Sequence, residues 1–78
     1  AARRAEATDW PRIASLYTRL LRVMPSPVVA LNRVVAVLRS EGAFAAWAQL
    51  QPLLVDARLR DYAPLEVVRA EILQALGR

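Results

Sequence analysis

Proline decides where helices in this chain can start and stop. The prolines are Pro11, Pro25, Pro27, Pro52 and Pro64. Pro11, Pro27 and Pro64 each stand at the beginning of an apolar stretch with helical spacing. In the first turn of a helix the missing N–H costs nothing, and the fixed φ already suits the helix. Pro25 acts in the other direction. The residue before a proline is pushed out of the α region, so Met24 must close whatever helix precedes it.

Between these marks the apolar residues recur at i, i+3, i+4 and i+7, the period of an amphipathic helix. Thr8 and Asp9 offer N-cap side chains, and a first helix is predicted from Trp10 to Val23. Trp10, Ile13, Leu16, Tyr17, Leu20, Leu21 and Met24 share one face; Arg12, Ser15, Thr18, Arg19 and Arg22 share the other. Ser26 is the next N-cap, with Pro27 at the first helical position, and a second helix is predicted to Arg39. Its valines would also suit a strand. The adjacent Asn32 and Arg33 break any period-two alternation, so the helix is preferred, central and largely enclosed. Gly42 supplies its stop.

A third helix is predicted from Ala43 to Leu54 through Phe44, Trp47, Leu50 and Leu54, with Pro52 kinking or shortening it. An irregular connector follows, with a single helical turn around Ala57 to Arg60 and with Leu59 and Tyr62 as anchors. Pro64 opens a fourth helix that runs to Leu76, with Glu66 and Arg69 as an exposed i, i+3 pair and Gly77 as the closing residue. The fold class is therefore all-α: four main helices in two antiparallel hairpins, 10–42 and 43–77. Their offset is near the period of a right-handed tetratricopeptide-like array. Residues 8–78 form a single domain. Ala1 to Ala7 hold no apolar stripe and look like the end of a preceding helix or a disordered tail.

Composition removes most chemistry. The chain has no cysteine and no histidine among its 78 residues. Disulfides, thiolate metal sites and histidine-activated nucleophiles are all excluded. Ser26 is used up as a cap, and nothing is present to activate Ser15 or Ser40. No pair of carboxylates shares a helical face in an apolar setting, as acid–base work requires. The expectation is a protein that is not an enzyme, with no catalytic residue, cofactor or metal. The longest apolar run, Val34 to Leu38, is far short of the roughly 20 residues a membrane helix needs, so a cytoplasmic protein without membrane association is expected.

Two features invite a functional reading. All 11 basic residues are arginine, and the formal net charge is +4. Arg12, Arg19 and Arg22 line the first helix, with Arg33 and Arg39 on the second. They form either a solvated face, the preferred reading, or a contact for an acidic partner or phosphates. Asn32 sits in a helix expected to be enclosed. It is either a structural amide hydrogen-bonded to a neighbour, again preferred, or a ligand-facing amide of the kind tetratricopeptide grooves use.

The residues also carry a more specific likeness. Thr8-Asp9-Trp10, Ile13, Leu16-Tyr17 and Leu20-Leu21 lead into Pro25-Ser26-Pro27-Val28-Val29-Ala30-Leu31-Asn32-Arg33 and Val35-Ala36-Val37. Asp56, Arg58-Leu59, Tyr62, Leu65, Arg69-Ala70-Glu71, Leu73 and Leu76-Gly77-Arg78 follow. This pattern resembles the C-terminal tetratricopeptide-like extension of bacterial extracytoplasmic-function RNA polymerase sigma factors. Ala57 and Pro52 depart from the family's usual residues, which touches only the path of the third helix. The resemblance implies an accessory domain of a transcription initiation factor. Its partner would be protein: the rest of the sigma factor, RNA polymerase or a regulator. DNA contact would belong to upstream regions absent from this sequence. It further implies an apolar patch on one face, through which the piece could form a homodimer. Trp10, Tyr17, Ser26, Pro27, Asn32, Tyr62 and Gly77 are the structural signature. Asn32, Arg33, Arg12, Arg19 and Arg22 are the candidate interaction residues. A basic nucleic-acid-binding module and a free-standing peptide-binding repeat are the alternatives.

Overall fold

A computed structural model describes residues 8–77 of the chain. The expectations for Ala1 to Ala7 and for Arg78 lie outside the described residues. The described chain is all-α: α1 Trp10–Val23, α2 Pro27–Glu41, α3 Ala43–Leu54, a short 3-10 turn Ala57–Leu59, and α4 Ala63–Ala75.

Local chemistry sets these boundaries. Asp9 is the N-cap of α1, its carboxylate accepting the Arg12 N–H at 3.2 Å. Met24 leaves the α region, with φ −135° and ψ 84°, as its place before Pro25 demands. The Ser26 hydroxyl accepts the Val29 N–H at 3.4 Å, with Pro27 opening α2. α2 runs two residues past its predicted end, to Glu41. Ser40 is absorbed into that extra turn by donating its hydroxyl to the Ala36 carbonyl at 2.8 Å. Gly42 then serves both neighbours. Its N–H donates to the Val37 carbonyl, and its own carbonyl accepts the Ala46 N–H, both at 3.2 Å. A single residue thus ends α2 and begins α3, at φ 99° and ψ 177°.

Pro52 does not shorten α3, which reaches Leu54 as predicted. The missing N–H leaves one intrahelical bond unmade, the one to the Ala48 carbonyl, and only two helical residues follow Pro52. The Gln51 side chain donates to the Trp47 carbonyl at 3.3 Å in the same turn. α4 begins one residue before Pro64 and ends one residue before Leu76. Gly77 has the left-handed φ of 84° that closes a helix, and its N–H donates to the Gln74 carbonyl.

The core is organised around α2. Leu31, Val34, Ala36 and Val37 are buried there, so Val34 and Val37 are spent on packing rather than on a strand. Ala46, Leu50 and Leu53 of α3 join them, followed by Leu59 of the 3-10 turn and Leu65, Val68 and Ile72 of α4. Ala36 and Ala46 are wholly buried, and α2 packs extensively on both α1 and α3. The three-residue link from α1 to α2 makes that pair antiparallel. α4 rests mainly on α3 and reaches back to α2, where Arg39 and Glu71 form an ion pair at 2.8 Å. The Glu66–Arg69 pair forms at 2.9 Å; being exposed, it adds a few tenths of a kcal/mol at most.

Candidate functional site

The five candidate interaction residues do not form one site. Arg12, Arg19 and Arg22 stand exposed along α1. Among the described residues none of the three has an ion-pair partner. Arg33 is different: it is half-buried at the α1–α2 seam, and its Nη1 donates to the Thr18 hydroxyl at 3.5 Å. That hydroxyl in turn donates to the Ala14 carbonyl at 3.0 Å. The Arg33 Nε is buried without a hydrogen-bond partner among the described residues.

Asn32 corrects an expectation. It is exposed on α2, one turn after the exposed Val28 and two turns before Arg39, which is itself held by Glu71 of α4. Residues four and eleven apart return to the same side of a helix, which is why these three line up. α2 is enclosed on its other sides, but the amide faces out and no described hydrogen bond involves it. The buried structural role is therefore ruled out for Asn32. Trp10, Tyr17 and Tyr62 are half-buried and pack against the core.

A second surface feature was not legible in the sequence. The connector between α3 and α4 wraps a concavity of about 450 Å³ lined by Leu54, Asp56, Arg60, Asp61, Tyr62 and Glu66, among others. Its wall is turn chemistry. The Asp56 carboxylate accepts the Arg58 backbone N–H at 2.9 Å and the Arg58 guanidinium at 2.8 and 3.0 Å. Arg60 at φ −59° and ψ 133°, followed by Asp61 at φ 66°, has the dihedral signature of a type II turn. The Tyr62 N–H closes that turn on the Leu59 carbonyl at 3.0 Å. Glycine is the usual occupant of the Asp61 position, and aspartate tolerates it better than most. Among the described residues no group of three His, Cys, Asp or Glu side chains could hold a metal ion. No described helix is long and apolar enough to cross a membrane.

Hydrogen bonds from the Arg58 side chain, then from its backbone, hold the Asp56 carboxyl below the usual carboxylate range. A depressed folded-state value means that the contribution is complete above the unfolded-state pKa of about 3.9. It is lost as pH falls toward the lower folded value. Acid titration of stability is expected to show this loss below about pH 4, and Asp56→Asn to flatten that part of the curve. Parallel curves for the two proteins would remove the carboxylate from the account.

Comparison with known proteins adds one relative. No family model matches the chain, and no solved structure does. An uncharacterized protein of Rhizobium meliloti (strain 1021) is 48% identical over 77 residues. The alignment takes in 99% of this chain but 18% of the relative. This chain therefore spans less than a fifth of the length of the protein it matches.

Proposed function

We propose that this chain is the C-terminal accessory domain of a bacterial extracytoplasmic-function RNA polymerase sigma factor, acting in the cytoplasm through protein–protein contact. The observation that carries the reading is the string Pro25-Ser26-Pro27-Val28-Val29-Ala30-Leu31-Asn32-Arg33. The structure gives its first three residues a job as stop, cap and start between two helices, and buries Leu31. Asn32 is exposed and has no described hydrogen bond, so its place in the string is not explained by helix capping or packing, which supports the likeness.

Two other findings support it. The first three helices follow one another with very short links, as stacked helix pairs of the tetratricopeptide type do. The matched stretch is also a small share of its longer relative, which suits an accessory module. In this reading promoter and polymerase binding belong to other regions of the parent protein, and the domain itself works by packing rather than by catalysis.

The test is promoter-specific transcription by core RNA polymerase supplied with the full-length gene product. Transcripts that depend on that product, with a yield that changes at least about threefold when residues 8–77 are deleted, are the expected result. A full-length product that neither associates with core polymerase nor directs initiation overturns the reading.

A further inference from the structure

Five large apolar side chains stand in the open between residues 16 and 28: Leu16, Leu20, Val23, Met24 and Val28. Leu16 is 49% exposed, Met24 55% and Val23 83%. The cause lies in how α1 is covered. Trp10, Ile13 and Tyr17 pack toward the core, and Ala14 is the residue of α1 that is fully buried. The apolar arc of α1 is wider than the strip that α2 covers. Leu16, Leu20 and Val23, spaced i, i+4 and i+7, form a ridge along the uncovered part.

Charge of one sign borders that ridge. Arg12 lies four residues before Leu16; Arg19 lies three after Leu16 and four before Val23. On a helix these spacings make them side-by-side neighbours. Arg22 extends the border by one more turn, and no acidic residue occurs from Trp10 to Val23.

We infer that this face of α1 docks an acidic amphipathic helix of a partner protein, its leucine-like ridge lying against Leu16, Leu20 and Val23 and its carboxylates against Arg12 and Arg19. Apolar ridge and one-signed border together define the complement: a helix with apolar residues at i, i+4 and i+7 and Asp or Glu beside them. A second copy of this chain is a poor occupant. Two-fold pairing of this face would set one row of arginines against the other, and like charges face to face oppose association. A lipid surface is also a poor occupant. Interfacial helices bury Trp, Phe and Leu in the headgroup region; the ridge offers two leucines, but Trp10 is turned to the core and no aromatic residue anchors the exposed side. This inference goes beyond the sigma-factor reading and stands without it.

The test uses the 78-residue chain and a fluorescent peptide of about 14 residues, the length of α1, in an alanine-rich background. The peptide carries leucine at i, i+4 and i+7 with flanking glutamates. Saturable binding by anisotropy, weakening as salt rises, is expected. Leu16→Ser with Leu20→Ser should weaken binding at least about tenfold. Arg12→Glu with Arg19→Glu should abolish it, and the same peptide with lysine in place of glutamate should restore it to that variant. Circular dichroism of each variant checks that the exposed substitutions leave the helices intact. Equal binding of the glutamate and lysine peptides by the unmodified chain overturns the proposal. So does concentration-dependent dimerisation that hides Leu20, binding to anionic vesicles without binding the peptide, or no binding at all. Failure here would leave polymerase-dependent transcription by the full-length product untouched, so the two readings fail separately.

Discussion

Leu59→Ala is expected to lower the free energy of unfolding by about 2–5 kcal/mol, the range for emptying a buried leucine site. Leu59 is 1% exposed although it sits in a turn of three residues. It is the buried residue of the connector, between Leu53 at the end of α3 and Leu65 at the start of α4. The 3-10 turn that carries it packs against α2. Removing the side chain therefore does two things. It opens a cavity in the core, and it releases the point where the connector is tied to the central helix. A domain of this size has a total stability of only about 4–12 kcal/mol, so the loss approaches the whole margin. Urea denaturation followed by circular dichroism and tryptophan fluorescence measures it. Val67→Ala, on the exposed side of α4, is the matched control and should change stability by less than about 0.5 kcal/mol. Equal effects at the two sites would mean that Leu59 does not anchor the connector.

The contrast between these two residues shows which parts of the fold a reader of the sequence can reach. Caps and prolines act within three or four residues, so Asp9, Ser26-Pro27, Gly42 and Gly77 could be placed from local patterns, and the structure uses all of them. Leu59 could be named as an anchor because an isolated leucine in a polar connector has few other uses. What depends on the number of neighbours was out of reach. Periodicity marks the apolar side of α1 but does not say that α2 covers only part of it. It marks α2 as central but does not say that Asn32 stays exposed on it. The candidate interaction residues suffered from the same gap. Arg33 and Asn32 are adjacent in sequence, yet one turns into the α1–α2 seam and the other turns to solvent. The Arg39–Glu71 pair joins residues 32 apart, and nothing local announces it. The left-handed Asp61 is equally silent, because aspartate fits many turns and signals none uniquely.

Gly42→Ala carries the second large expected effect, a loss of about 1–3 kcal/mol, and the cause is backbone conformation alone. At φ 99° and ψ 177° the residue lies in a region open to glycine and closed to L-residues. Space is not the obstacle: a Cβ built at this position has nothing within 4 Å. An alanine must either hold the strained conformation or rotate out of it. Rotation is not free here, because Gly42 is the entire link between α2 and α3 and its N–H and carbonyl both hold helix ends. Any change in its dihedrals swings α3 against α2, with which it is extensively packed. Chemical synthesis of the chain separates strain from contact. D-alanine at position 42 carries its methyl group in the mirror-image arrangement and accepts positive φ without strain. It should match glycine or exceed it by about 0.4–1 kcal/mol, since it also restricts the unfolded chain. If L- and D-alanine destabilise equally, the penalty comes from a contact made by the methyl group. If only L-alanine does, the handedness of one residue sets the angle between the two helices at the centre of the fold.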